Sequence, residues 1–398
     1  MNILLVVLDA LSALHLPQYG YKRQTFPCTS SLIEEEFTVF ERAYSPSFWT
    51  PPAHASLFSG LYPHEHGVGE ELPFFFPKIL TIQHVAFAHG LHPVGITTNP
   101  IVTFSTGFAR GFSDFIEIDK WDLFQQDFTG FKLNFLKKER GRLDWLTGEK
   151  GQVIIVEWFL SHLWRRLKKN ILRNVLKFSY PYTKKAFRSA LELLKDDERN
   201  YFIFINIMET HHNYNPPVKF RGKWSKRIKE FKKWERISPR NHYTKGKFPD
   251  EVIEHLKDLY DEEILALDEE LTAFLQGLKD SGRYDDSLII ITSDHGEAFG
   301  EEGHLEHMSL VDPVIRIPMF IKLPGQRKGD YSTRLVQLND IFALVSEVLN
   351  SDLPVPASSI SPLSSERKSA LSEIVDFEAH VKHVNVKGFE FQKYREIR

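Results

Sequence analysis

Cysteine is nearly absent: Cys28 is the only one in 398 residues, so no intrachain disulfide exists and a secreted disulfide scaffold is excluded. Long apolar runs are also missing. The opening Met1-Asn2 leads into Ile3-Leu4-Leu5-Val6-Val7-Leu8, without a basic leader and far short of a bilayer span. The expectation is therefore a cytoplasmic protein. A surplus of positive charge is missing too; the formal net charge of -3 gives no global argument for nucleic-acid binding, and none is expected. What remains is a chain with 42% hydrophobic residues, ample for a large buried core.

The apolar residues are grouped in short runs that stop at polar, chemistry-bearing residues. Ile3 to Leu8 stops at Asp9, Tyr201 to Met208 stops at Glu209-Thr210-His211-His212, and Leu288 to Thr292 stops at Ser293-Asp294-His295-Gly296. Continuous β-branched runs of this length fit strands buried on both faces of a parallel sheet. Open α/β sheets place their sites at the carboxyl ends of strands, so three such ends converge. Val94 to Thr98 and Ile315 to Lys322 read as further strands. Helical patterns cover Ile79 to His89, Asp250 to Lys279 and Thr333 to Asn350. Residues 1–350 are expected to form one catalytic α/β domain. Residues 351–398, with Pro354, Pro356 and Pro362 among serines, read as a short extension packed on it, a loop followed by short strands or a helix. No internal repeat is visible.

Residues 120–190 form a basic, aromatic insertion. Within it, Ile155, Phe159, Leu163, Leu167, Ile171 and Val175 recur every four residues, with Arg165, Arg166, Lys168, Lys169 and Arg173 elsewhere around the helix. Such a helix packs on its own core, covers a phosphorylated substrate, or lies on an anionic membrane surface through residues 150–178; these readings stay open. Oligomeric state is not readable.

Thr50 lies in Ser47-Phe48-Trp49-Thr50-Pro51-Pro52-Ala53-His54, a turn entering a helix. It reads as a helix cap or as a nucleophile at a helix N-terminus, where amides and dipole favour an anion. Asp294 and His295 at one turn, with Asp9, supply three ligands for one divalent cation, and Thr50 is a fourth contact. His211, His212, His304 and His307 are candidates to contact an anionic substrate or move a proton, with His211 and His307 preferred as catalytic residues. His54, Asn99 and His304 are expected as substrate contacts.

These residues stand in an order that resembles the sulfatase-like branch of the alkaline phosphatase superfamily over nearly all of residues 1–325. The resemblance is carried by Leu8-Asp9-Ala10-Leu11, by Trp49 through Gly60 continuing to Val68, and by Thr98-Asn99-Pro100. It continues in Glu209 through Pro217, Tyr260-Asp261 with Asp268, and Ser293-Asp294-His295-Gly296-Glu297 with Gly300 and His307. It implies a three-layer α/β/α sandwich with a mostly parallel central sheet.

Two departures redirect the expected chemistry. Sulfatases of this type carry Cys or Ser in a Cys/Ser-x-Pro-x-Arg context that is oxidised to formylglycine, whereas this chain has Thr50 and His54 there. A secondary alcohol cannot become that aldehyde. Threonine is instead similar to the metal-dependent phosphodiesterases and phosphoglycerol transferases of the superfamily, which implies attack by Thr50 on a phosphate mono- or diester. Ala10 stands where many sulfatases have another metal-binding Asp, which favours Mn or Zn over Ca or Mg. A second ion bound through His211 and His307 lacks a convincing carboxylate, Glu209 being a weak candidate. The alternatives are a sulfate-ester hydrolase using unmodified threonine, or a non-catalytic metal- or anion-binding protein.

Overall fold

The computed structural model describes residues 1–75, 78–118, 181–196, 199–225, 249–378 and 392–398. The basic stretch 150–178 and most of the expected insertion lie outside the described residues.

An eight-stranded sheet runs through the middle of the molecule in the order β10-β2-β9-β6-β1-β5-β3-β4. Its strands are β1 (Ile3–Leu8), β2 (Thr38–Tyr44), β3 (His92–Thr97), β4 (Asp114–Glu117), β5 (Tyr201–Ile207), β6 (Leu288–Thr292), β9 (Met319–Lys322) and β10 (Asp330–Gln337). Only β9 runs against its neighbours; every other pairing is parallel. Among the described residues two antiparallel pairs complete the strands: β7 (Ala298–Phe299) with β8 (Leu305–Glu306), and β11 (Ala370–Glu373) with β12 (Tyr394–Ile397).

Alternation along β1 explains the layers. Leu4, Val6 and Leu8 join one core, roofed by α1 (Pro27–Glu36), α5 (Pro181–Leu193) and α6 (Asp250–Asp280). Ile3, Leu5 and Val7 join the other, beneath α2 (Thr50–Ser59), α4 (Ile82–Ala88) and α8 (Asp340–Val348). All six side chains are fully buried, and each contributes roughly 1.5–3 kcal/mol by leaving water. The result is a three-layer α/β sandwich. Among the described residues the short helices α3 (Pro63–His66) and α7 (Asp312–Ile315) complete the α-helices. Among the described residues no helix is long and apolar enough to cross a membrane.

Two sequence expectations need correction. The run from Ile315 begins in α7 and becomes strand only at Met319. The expected helix from Thr333 is β10 as far as Gln337, because Leu335, Val336 and Gln337 find a parallel partner in Arg42, Ala43 and Tyr44 of β2. The helix starts at Asp340, whose Oδ2 accepts a 2.8 Å bond from the Gln337 amide. The uncertain tail resolves into β11 and β12, and β11 is bonded to the Thr50 side of the molecule: the Glu373 amide donates to Pro46 O at 3.0 Å.

Arg367 anchors that tail. Its Nε donates to Asp340 Oδ2 at 2.9 Å, and its other nitrogens reach Tyr62 Oη at 2.8 Å and Ser358 O at 2.7 Å, all in a buried setting. Arg367→Ala leaves the Asp340 carboxylate buried and is expected to lower the free energy of unfolding by about 3–5 kcal/mol, read by chemical denaturation.

His66 ties α3 to α2. The Val68 amide donates to its Nδ1 at 3.0 Å, so the other ring nitrogen carries the hydrogen and donates to Ser56 Oγ at 3.0 Å. Burial pushes its pKa from 6.5 down to about 3. Below pH 6.5 the unfolded chain binds a proton that folded His66 refuses, so stability falls with acidification toward pH 3. This group alone accounts for about 2 kcal/mol at pH 5. Unfolding titrations from pH 7.5 to 5 should therefore show a shallower acid slope in His66→Gln than in the parent.

Candidate active site

Parallel register assembles the site. Val7 pairs with Thr292 across β1 and β6, so Asp9 and Asp294, each two residues further on, leave the sheet side by side. Leu8 pairs with Ile207 of β5, the Asp9 amide donates to Ile207 O at 2.8 Å, and Thr210 Oγ1 donates to Asp9 O at 2.5 Å. The loop bearing His211 is thereby fixed against the same strand end.

Asp9, Asp294 and His295 are fully buried, and their ligating atoms lie within 4.8 Å of one another. His295 Nε2 is 3.5 Å from Asp294 Oδ2 and 4.0 Å from Asp9 Oδ1, and Thr50 Oγ1 is 3.5 Å from the same nitrogen. Donors sharing one zinc-sized ion at about 2.1 Å sit roughly 3–4 Å apart, so this set fits a divalent cation. Asp294 Oδ2 supports the fit, since it is buried, accepts no hydrogen bond and faces His295 Nε2 and His54 Nδ1 at 3.5 Å each. The Nδ1 hydrogen of His295 is donated to Gly296 O at 3.0 Å, which leaves the Nε2 lone pair turned to the cluster. Burial acts to raise the Asp294 pKa, but His295, His54 and the amides of Ala10 and His295 together hold it below the ordinary value.

Ala10 makes the sharp exit from β1 with φ 59°. Tyr260 holds that conformation by donating to Ala10 O at 2.7 Å and accepting from the Ser12 amide at 2.9 Å. Ala10 N also donates to Asp294 Oδ1 at 3.2 Å, so a backbone amide touches the carboxylate next to it.

Thr50 is the first residue of α2, and Trp49 occupies the cap without a side-chain bond. Threonine as a cap is thereby excluded. The expected cradle of free amides is also thinner than the sequence reading held: Pro51 and Pro52 have no N–H, and the Ala53 amide is already donated to Trp49 O at 3.3 Å. Helix dipole and neighbouring side chains are left to attract an anion.

The three expected substrate contacts, His54, Asn99 and His304, have the following surroundings. His54 is fully buried, with Nδ1 donating to Thr50 O at 3.0 Å and Nε2 facing Asn206 Nδ2 at 3.3 Å; burial pushes its pKa down. It supports Thr50 from within the helix. Asn99 donates from Nδ2 to Asp9 Oδ2 at 2.6 Å, and its Oδ1 accepts from the Ile101 amide at 2.7 Å, so it orients a candidate ligand. His304 sits at the β7–β8 turn and belongs to neither cluster of ligating side chains among the described residues.

His211 and His307 do come together, and His212 joins them, its importance underestimated from sequence. The three present ligating atoms within 4.8 Å of one another. The His307 ring lies 4.5 Å from that of His295 and 4.9 Å from that of His211. His211 donates from Nδ1 to His212 O at 2.7 Å; burial, then the neighbouring His212, push its pKa well below the imidazole range. Its Nε2 is therefore a lone pair near neutrality, able to take a proton or a metal. Glu297 was missed as a side chain with a task, although its position directly after Asp294-His295-Gly296 is a usable signal: its Oε1 is 3.1 Å from His307 Nδ1.

A three-layer α/β sandwich with carboxylates, imidazoles and a threonine hydroxyl gathered at parallel strand ends is the class that fold and site define. The chain belongs to the Sulfatase family, whose model matches residues 1–351. It is 21% identical over 398 residues to an arylsulfatase of Clostridium perfringens, covering 94% of this chain and 80% of that protein. It is 30% identical over 129 residues to arylsulfatase K of Canis lupus familiaris, covering 31% of this chain and 24% of that one. Among solved structures, the phosphonate monoester hydrolase of Agrobacterium radiobacter superposes with a TM-score of 0.67 at 17% identity, covering 100% of this chain and 88% of that chain.

The donor set gives a direct binding test. Mn or Zn titrated calorimetrically should bind the parent, and Asp294→Asn should weaken binding by at least about 10- to 100-fold. At 100 times its Kd the ion should stabilise the parent by about 2.7 kcal/mol, and a chelator should reverse the gain.

Proposed function

We propose that this chain is a metal-dependent phosphate-ester hydrolase or phosphotransferase in which Thr50 is the nucleophile. The carrying observation is Thr50 Oγ1, 3.5 Å from His295 Nε2 and beside the buried Asp9–Asp294 pair, at a position where formylglycine cannot form. Asp9, Asp294 and His295 would hold one divalent ion, Mn or Zn preferred, which when bound supplies positive charge to the site and lowers the pKa of an attached oxygen.

The residues divide the remaining work. Thr50 Oγ1 attacks phosphorus, the ester oxygen leaves, and phosphothreonine forms. A Nε2 lone pair of His211 or His307 takes the Thr50 proton and returns it to the departing alkoxide. Water or an acceptor alcohol then attacks phosphorus and gives up its proton to the same imidazole, which passes it to the Thr50 oxygen as that oxygen leaves. His54 and Asn99 keep Thr50 and Asp9 in place throughout, the first through Thr50 O and the second through Asp9 Oδ2. The likeness to a phosphonate monoester hydrolase supports attack at phosphorus.

A sulfate-ester hydrolase using unmodified threonine is the second reading, favoured by the arylsulfatase names of the sequence relatives. Aryl phosphate, bis-aryl phosphate and aryl sulfate assayed in parallel with Mn, Zn, Mg and Ca separate the two. Thr50→Ala should reduce phosphodiester turnover on the order of 10⁴-fold or more. Acid-quenched parent enzyme should carry a phosphoryl adduct on Thr50 by mass spectrometry. Unchanged turnover in Thr50→Ala removes the nucleophile assignment, and faster turnover of the sulfate ester promotes the second reading.

A further inference from the structure

Glu297 is fully buried and bridges two loops. One oxygen, Oε1, is 3.1 Å from His307 Nδ1; the other, Oε2, accepts a 2.9 Å hydrogen bond from Tyr214 Oη. Tyr214 belongs to the loop after β5 that carries His211 and His212, whereas His307 follows β8. The carboxylate thus keys one histidine-bearing loop to the other. Tyr214 is itself firmly seated: its ring packs edge-on to Tyr260 at 5.4 Å and against Phe299 at 5.9 Å, and Tyr260 is the residue that clamps the Ala10 turn. One aromatic group therefore backs both the Asp9 turn and Glu297.

An ionised carboxylate only accepts hydrogen bonds. Tyr214 donates to one oxygen and His307 Nδ1 lies 3.1 Å from the other, so the carboxylate favours a hydrogen on Nδ1. In the neutral ring this makes Nε2, on the far side, the acceptor. The His307 ring packs against both His295 and His211, with centroids 4.5 and 4.9 Å away, so a flip or a change of tautomer would point a hydrogen where the proposed proton transfer needs an acceptor.

We propose that Glu297, held by Tyr214, is the positioning residue for His307, fixing its tautomer and ring angle so that Nε2 is presented to the group reacting beside Thr50. The kinetic consequence rests on the phosphoryl-transfer reading; the tautomer does not.

Glu297→Gln and Tyr214→Phe in the full chain test it. Gln keeps the size of Glu but offers one carbonyl oxygen to two donors; Phe keeps the ring and removes only the hydroxyl. ¹⁵N-labelled imidazole spectra, with His307 assigned by its loss in His307→Gln, report the tautomer directly. The parent should show hydrogen on Nδ1 alone, and Glu297→Gln should show a mixture. With it, kcat should fall by at least about tenfold while KM stays within about twofold, and Tyr214→Phe should move both readouts the same way by less. A parent-like tautomer and kcat in both variants overturns the proposal. So does a loss of activity accompanied by unfolding or by a rise in KM alone with the His307 tautomer unchanged, which assigns Glu297 a purely structural place. Should the parent turn over no ester, the phosphoryl-transfer reading fails by itself, and the tautomer shift still decides the role of Glu297.

Discussion

Everything at this site follows from two carboxylates being delivered to the same buried place. Parallel β1 and β6 are in register, so Asp9 and Asp294 emerge at one level, and neither has any solvent exposure. Adjacent buried anions repel and are costly to desolvate, so the surroundings must compensate. They do so with donors: Asn99 Nδ2 on Asp9, the Ala10 and His295 amides on Asp294, and the Nδ1 side of His54 3.5 Å from Asp294 Oδ2. A cation is the strongest compensation such a set can receive, and the same geometry that makes the pair costly makes it selective for one.

Helix α6 performs the corresponding task for the loops. Five of its acidic residues, Asp258, Asp261, Glu262, Glu263 and Asp268, are buried, and the last three satisfy backbone amides that would otherwise be orphaned. Asp268 accepts from the Cys28 and Thr29 amides and so caps the N-terminus of α1. Glu262 accepts from the amides of Gly222, Trp224 and Ser225, and Glu263 from that of Asn215, four residues past His211. Asp261 binds His15 at 2.6 Å, Tyr21 at 2.6 Å and Arg23 at 2.8 Å. Hydrogen bonds to charged groups contribute about 1.5–3 kcal/mol each, so one helix rigidifies several of the segments around the strand ends. The run Tyr260-Asp261-Glu262-Glu263 is thus a scaffold with one member, Tyr260, reaching the site itself.

Much of this was legible in the sequence, for a definite reason. Buried parallel strands are continuous apolar runs, so β1, β5 and β6 and the residues at their ends announced themselves, and with them Asp9, His211, Asp294 and His295. Strands with charged, partly exposed faces are less legible. Thr38–Tyr44 and Asp330–Gln337 carry Glu41, Arg42 and Arg334 on such faces, so the sequence from Thr333 reads as the start of a helix. The roles of His54, Asn99 and Glu297 were illegible for another reason. Spacing shows that a residue is near a motif, not whether it faces the cavity or lies behind it. His54 is one helical turn from Thr50, and that spacing brings its ring back onto the Thr50 carbonyl.

The Thr50-Pro51-Pro52 sequence constrains the chemistry more tightly than the threonine alone. A helix N-terminus normally offers an anion several free amides, but here two of the first three helical positions have none, and the next amide is spent on Trp49 O. An oxyanion developing next to Thr50 therefore gains little from α2 beyond its dipole, worth about 0.3–1 kcal/mol at an exposed end and up to about 2 kcal/mol when partly buried. On the phosphoryl-transfer reading, stabilising the transferred group takes far more. The deficit then falls on the divalent ion that Asp9, Asp294 and His295 would hold, and on His211 or His307 once its Nε2 has taken up the Thr50 proton. This is why the orientation of one imidazole by Glu297 matters: where the backbone supplies few fixed donors, the Nε2 that takes up that proton has to be presented at a fixed place.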